Sequence, residues 1–260
     1  MKPPTVFLGE MTNLEVEAFL KQHTTVLVPT GSTEQHGPHG PLLTDVLVPT
    51  EVARRMAPQV GAVVAPSLNY ALSYPHVGFT GVVHIRIPTF MSVVEDVCVS
   101  LAAVGFKRIV FLNGHYDNTY AIAYACATAA ERLPAGVRAF PVNYWDGLSA
   151  EEAGEFFGPT TGLHANRGEI SAVLAINPAL VDMDNANAEM PPFPDVTSAP
   201  AVHTAFFFSS PGSISRATKS GTWGDAREAS PEYGERYLEV VTNATVRLID
   251  DIERTFTAMP

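Results

Sequence analysis

The sequence predicts an α/β protein with a mostly parallel sheet covered by helices on both sides. Three observations lead there. Short β-branched, apolar runs alternate along the chain with longer segments of helical periodicity, which is the pattern of strands joined by crossover helices. The runs at 24–30 and 108–112 read as buried strands, and each ends in a loop rich in His and carboxylates. No shift in composition divides the 260 residues, a length that one large domain accommodates, so residues 1–260 are expected to form a single domain.

The first strand, 24–30, leads into Glu34-Gln35-His36-Gly37-Pro38-His39-Gly40-Pro41-Leu42-Leu43-Thr44-Asp45. Glu34 and His36 lie two apart, so in extended backbone they point to the same side, and the Gly/Pro turn lets Asp45 return to them. Residues 45–57 read as a helix and 62–65 as a second strand. The irregular stretch 69–88 gathers Tyr70, Tyr74, His76, Phe79 and His84 among turn residues. Such loops line pockets, which makes His76 a candidate substrate contact; a packed loop with His76 hydrogen-bonded in place is an equal reading. A helix at 89–104 is expected, capped by Thr89 and stopped by Gly105.

The strand at 108–112 runs into Asn113-Gly114-His115-Tyr116-Asp117-Asn118, which repeats the first loop's logic with a His and a carboxylate two apart. A helix at 119–132, a strand at 137–142 and a helix at 150–157 follow. Residues 170–176 read as another helix, with His164 and Glu169 around its start. The stretch 185–230 has few periodic apolar positions and is expected to be a long loop acting as a lid or an oligomer contact. A helix over 231–255 closes the chain.

Sixteen Lys and Arg against twenty-seven Asp and Glu give a net charge of −11, which disfavours nucleic acid and anionic membrane as partners and points to a small-molecule substrate. Neither a secretory start at Met1-Lys2-Pro3-Pro4 nor an uninterrupted run of eighteen apolar residues occurs, and the expected location is cytoplasmic. Cys98 and Cys126 each fall in an expected helix and read as reduced core residues.

Glu34, His36, Asp45, His115 and Asp117 thus stand on two strand-end loops. Two imidazoles and three carboxylates without a thiolate suit zinc or manganese. Five ligands are many for one ion. Two ions ~3.5–4 Å apart, sharing a carboxylate, use them all, and Asp45 is the choice for the bridge. A hydrolase also needs a proton carrier, and His164 suits that role. Glu169 has three open readings: it orients His164, completes a metal shell, or complements the first turn of its helix. His39 reads as part of the turn, and His23 and His203 as surface or packing residues.

The motifs Pro29-Thr30-Gly31-Ser32-Thr33-Glu34-Gln35-His36-Gly37-Pro38-His39, Leu43-Thr44-Asp45, Asn113 through Asn118, His164 with Glu169, and Gly221-Thr222-Trp223-Gly224-Asp225 together resemble the creatininase family over nearly the whole chain. The resemblance implies an α/β/α sandwich assembled as a homohexamer. It implies one ion held by Glu34, Asp45 and His115, and a second, usually zinc, held by His36, Asp45 and Asp117, with zinc in both sites or zinc with manganese. It further implies that a metal-bridging hydroxide attacks a cyclic amide carbon while His164 shuttles the proton, and that Tyr116 and Trp145 contact substrate. The chain departs from creatininases proper at Asp117, where those carry Glu, and at Thr160 and Leu163, where those carry Trp and an acidic residue. Whether Asp117 or Glu169 completes the second shell therefore stays open, and creatinine itself becomes doubtful as substrate. Hydrolysis of a formamide, cleavage of a C–C bond in a cyclic polyol ketone, and a metal-containing binding protein without catalysis are the alternatives.

Overall fold

The computed structural model describes residues 5–157, 161–191 and 205–259. Four parallel strands form the main sheet: β1 (Thr25–Thr30), β2 (Ala62–Val64), β3 (Arg108–Asn113) and β4 (Arg138–Asn143), in the order β2-β1-β3-β4. β1 and β3 pair over their full length, Thr25 opposite Arg108 through Thr30 opposite Asn113. Every residue of β1 is buried, because both faces of the sheet are covered.

Alternate strand residues feed two separate cores, as the period of two requires. Leu27, Val64, Val110, Leu112 and Val142 pack against α2 (Thr44–Val60), α6 (Arg167–Ile176) and the C-terminal helix Pro231–Ala258. Val26, Val28, Val63, Ile109 and Phe111 pack against α3 (Ile87–Val104) and α4 (Thr119–Ala130), with Val16 and Phe19 of α1 (Asn13–Leu20) at the margin. The layers are those of an α/β/α sandwich. Helix α5 (Ala150–Phe156) follows β4 and adds Phe156 to the first core.

The strand order has a functional consequence. After β1 the chain crosses through α2 on one face to β2, whereas after β3 it crosses through α4 on the opposite face to β4. Connections that diverge from neighbouring strands open a crevice at the carboxyl ends of those strands. The loops carrying Glu34 to Asp45 and His115 to Asp117 leave the sheet at that point.

Several expectations are corrected. Helix α3 starts at Ile87 after Arg86, with Pro88 in its first turn, and Thr89 is not its cap. Proline suits a first turn because its missing N–H has no helical partner there. The eight-residue α1 was not anticipated, although Thr12 and Glu15 form a reciprocal capping box at its start. The stretch 185–230 is not one long loop. Where described it holds β6 (Ala188–Glu189), a short helix Ser213–Ala217 and β7 (Trp223–Asp225). β7 pairs antiparallel with both β6 and β5 (Gly162–His164), making a second, three-stranded sheet. His203, Thr160 and residues 192–204 lie outside the described residues.

Helix α3 has a mean hydropathy of 1.6, and its length and composition alone would let it cross a membrane. Glu95 and Asp96 interrupt it, and Phe90, Val94, Cys98 and Ala102 turn into the second core. Cys98 and Cys126 are both buried free thiols, facing each other from α3 and α4.

Candidate metal centre

Two glycines hold the crevice closed around Asp45. A Cβ on Gly31, just past β1, would stand 2.2 Å from the Asp45 carbonyl oxygen, and one on Gly114, just past β3, would stand 2.5 Å from the same atom. Pro49 sits one helical turn after Asp45 in α2 and has no N–H to offer that carbonyl. The first turn of α2 is thereby wedged between the ends of β1 and β3, with the Asp45 carboxylate in the crevice. Ser32 Oγ donates to Asp45 Oδ2 at 3.0 Å and fixes its rotation.

Around Asp45 the other side chains converge. His36 Nε2 lies 3.1 Å from Asp45 Oδ1, and His115 Nδ1 lies 3.0 Å from Asp45 Oδ2. His115 Nε2 is 3.3 Å from Glu34 Oε2, whose carboxylate also accepts from Ser73 Oγ at 2.8 Å. Among the described residues three sets of potential ligand atoms, each mutually within 4.8 Å, result: Glu34 with Asp45 and His115, His36 with Asp45 and Glu169, and Glu34 with His36 and His164. Asp45 is common to the first two. The five residues expected on the strand-end loops are all buried.

Asp117 is placed differently from the expectation that it joins His36. It sits in the turn Tyr116–Asn118 with Oδ2 3.6 Å from His115 Nε2, and belongs to none of the three sets. Glu169 joins His36 and Asp45 instead. Its backbone N–H donates to the Asn166 side chain, which caps α6. The first turn of α6 thus delivers the carboxylate to the crevice, and both the helix-start and the metal-shell readings of Glu169 describe one placement. Its third reading, orienting His164, falls to another residue.

That residue is Gln35, which sequence reasoning passed over because an amide between two ligands carries no charge signal. The two hydrogens of Gln35 Nε2 go to His76 Nδ1 at 2.8 Å and the Gly221 carbonyl at 3.1 Å. His164 Nε2 lies 3.0 Å from the same nitrogen but donates to the Gln35 carbonyl oxygen at 2.8 Å. His164 therefore keeps Nδ1 as its basic nitrogen, 3.7 Å from Glu34 Oε1. His76 presents Nε2–H to Glu34 Oε1 at 3.4 Å, so the reading of a hydrogen-bonded packing residue and that of a pocket residue both describe it. The close approach of Gln35 requires glycine at 221, where a Cβ would fall 1.9 Å from Gln35 Oε1.

An asparagine network braces the whole. Asn113 Nδ2 donates to the His115 carbonyl and to Asn143 Oδ1, both at 2.7 Å, and Asn118 Nδ2 donates to the Gly31 carbonyl at 2.9 Å while its Oδ1 accepts from Leu72 N–H. These bonds tie the loops after β1, β2, β3 and β4 together. His39, beyond its place in the turn, donates from Nε2 to the Ala165 carbonyl at 3.2 Å, linking the first loop to the start of α6. His23 is exposed and packs on Phe19.

The electrostatics show what the crevice lacks. Burial pushes the Glu34 carboxyl up to about 8, against the opposing pull of His115. Burial likewise lifts Glu169 to about 7, opposed by His36. For His36 burial disfavours the charged ring, yet the Asp45 carboxylate overrides it and raises the imidazole to about 9. Asp45, despite burial, is held well below the usual carboxylate range by His36 and His115. His76 and His164 are depressed well below the ordinary imidazole value, by burial first and then by neighbouring imidazoles. Without another cation, the carboxylates are balanced by protons held on Glu34, His36 and His115. Even so, His115 Nε2, Asp117 Oδ2 and Glu169 Oε2 are buried with no hydrogen-bond partner. Buried ligand-type atoms left in this way fit a divalent cation, which would displace the protons and supply the charge and the bonds together.

The crevice opens into a cavity of about 360 Å³. Trp145 and Tyr116 both line it, Tyr116 being 44% exposed.

Comparison with known proteins agrees with this geometry. The family profile for creatininase, described as creatinine amidohydrolase, matches residues 9–249. Creatinine amidohydrolase of Pseudomonas putida is 33% identical over 91% of this chain and 93% of its own. A mycofactocin precursor peptide peptidase of Mycolicibacterium smegmatis is 32% identical over 93% and 90%. A 3-dehydro-scyllo-inosose hydrolase of Thermotoga maritima is 28% identical over 70% of this chain and 60% of that protein. A crystal structure of creatininase superposes with a TM-score of 0.82 at 30% identity, covering 96% of this chain and 98% of that one. Solved creatininases also include one described as Mn (TM-score 0.79, 30% identity, 95% and 98% coverage) and a mutant described as Zn-Zn type (0.81, 30%, 96% and 98%). The chain belongs to the creatininase family of metal-dependent amidohydrolases.

Proposed function

We propose that this chain is a binuclear hydrolase that cleaves the C–N bond of a small, uncharged amide. The observation carrying the proposal is that Asp45 is shared by two ligand sets at the divergence of β1 and β3. Glu34, Asp45 and His115 would hold one ion, and His36, Asp45 and Glu169 the other, with zinc or manganese suiting imidazole and carboxylate donors. When bound, such a pair polarises a carbonyl oxygen and provides a water-derived nucleophile at neutral pH.

The remaining steps fall to the protein. Gln35 holds His164 with Nδ1 turned toward Glu34, so that nitrogen can take the proton of the attacking water and pass it to the leaving nitrogen. Burial keeps the ring neutral and ready to accept. His76, Tyr116 and Trp145 line the cavity beside the ligand cluster and would contact the substrate there. The polyol-ketone reading is weaker, since among the described lining residues beyond the ligands apolar side chains outnumber polar ones. We further propose a homo-oligomer, supported by exposed apolar side chains on the packed pair α3 and α4: Ile87, Val93, Val104, Tyr120 and Tyr124.

The test is hydrolysis of an amide panel by protein of known metal content. Activity should vanish on chelation and return on reloading. His164→Ala should abolish turnover with both metals retained, and full turnover by that variant would refute the assigned proton carrier.

A further inference from the structure

The cavity's walls select among amides, and they do so by shape and charge. Beyond the ligand residues, and apart from His76, His164 and the Tyr116 and Tyr144 hydroxyls, its described lining is apolar: Trp145 and Phe157, with ring centroids 6.5 Å apart, Phe207 and Trp223, 5.5 Å apart, and Leu163 and Ile214 among them. Leu163 immediately precedes His164 and is 41% exposed. The side chain next to the proton carrier is therefore a branched alkyl group, where an acidic residue would hold a polar or cationic substrate.

No cation answers these walls. The chain carries no Lys or Arg between Arg55 and Arg86, between Arg108 and Arg132, between Arg138 and Arg167, or between Arg167 and Arg216. Those intervals supply every lining residue except Glu34, Asp45 and Trp223. A substrate carboxylate seated against the walls, away from the ligand cluster, would find no guanidinium or ammonium to pair it. A polyol would turn the hydroxyls beyond reach of His76, His164, Tyr116 and Tyr144 to aromatic faces, which is unfavourable for each group so buried. The volume of about 360 Å³ exceeds the ~150 Å³ that an apolar cavity needs to take up benzene, and leaves room for an amide beside the ring.

We propose that the substrate is an uncharged amide whose reacting carbonyl is flanked by an aromatic-sized apolar group seated against the Trp145/Phe157 and Phe207/Trp223 pairs. The inference rests on reading the cavity as the substrate site of the proposed hydrolase. Its test does not rest on turnover. The chain's only two tryptophans, Trp145 and Trp223, both stand on the cavity wall, so intrinsic fluorescence reports occupancy directly.

The zinc-loaded protein would be titrated with N-benzylacetamide, its 4-carboxylate, N-methylacetamide and myo-inositol. The neutral benzyl amide should bind at least ~10-fold more tightly than each of the others, the scale on which apolar pockets discriminate. Leu163→Asp should weaken it several-fold, whereas Leu163→Met should not. Equal or tighter binding of the carboxylate or of inositol would overturn the inference, as would no response to the benzyl amide. A benzyl amide that binds but is never hydrolysed refutes the proposed reaction and leaves the pocket inference standing. Hydrolysis confined to carboxylated or hydroxyl-rich substrates does the reverse.

Discussion

Gly114→Ala tests how the fold places its central carboxylate. The added methyl would lie 2.5 Å from the Asp45 carbonyl oxygen and 2.6 Å from Pro49 Cγ, where an ordinary contact begins at 3.4 Å. Relief requires a shift of about 0.9 Å, the difference between 3.4 and 2.5 Å, and the obstacle is backbone, so no side chain can rotate away. Such overpacking costs on the order of 1–3 kcal/mol. The larger effect falls on function, because the part that moves carries Asp45, and displacement of ~1 Å in a catalytic constellation costs about 100-fold in rate. Gly31→Ala, 2.2 Å from the same carbonyl, should behave alike or worse. Gly154→Ala is the control. A methyl there meets nothing within 4 Å, and in α5 it should add ~0.5–1 kcal/mol of stability. Metal content per chain, urea midpoints and kcat on the same preparations make the comparison. Wild-type kcat and metal content in Gly114→Ala would refute the wedge argument.

Other expectations follow from individual contacts. Glu169→Gln should lose about one metal per chain while Asp117→Asn keeps both, and the opposite result would return the second shell to Asp117. Gln35→Leu strips partners from His76 Nδ1 and the Gly221 carbonyl, both buried, at roughly 1–3 kcal/mol each, while the backbone carbonyl that holds His164 stays; it should lower kcat and alter its pH profile with metals still bound, and an unchanged profile would show that the Gln35 amide does not position His76. For the metal-free protein the sign of the pH dependence is fixed. Glu34 and His36 hold protons in the fold up to about 8 and 9, and His115 is also raised, all above their unfolded values, so their stabilisation is lost as pH rises through those values. His76 and His164, being depressed, contribute fully above the unfolded value of ~6.5 and are silent beyond it. From pH 7 to 9 the metal-free urea midpoint should therefore fall, each surplus proton tilting stability by ~1.4 kcal/mol per pH unit, whereas metal binding should strengthen over the same range. A metal-free protein that gains stability over that range would contradict the assignment.

The parts legible in sequence were those whose physics is local. Strands β1 and β3 announce themselves because parallel strands covered on both faces must be apolar, and ligands placed just beyond them inherit the position of the strand ends. The second sheet was hidden because β5, β6 and β7 have three, two and three residues, too few to show a period of two. The start of α1 is encoded locally, by Thr12 and Glu15 at capping-box spacing. The choice between Asp117 and Glu169 could not be read, since it depends on how the first turn of α6 docks against α2, and no local pattern encodes that. Gln35 was equally silent. Its role comes from partners distant in sequence that only the closed fold brings together: His76 and the Gly221 carbonyl at its side-chain amide, and His164 at its backbone carbonyl.

The most direct test of the central claim is metal per chain, measured on protein purified without added metal or chelator and set against turnover of a neutral amide before and after chelation. The account predicts about two ions per chain, loss of activity on removal, and recovery only as the second equivalent is restored. Full activity with one ion, or a protein that binds none even when reloaded, would contradict it.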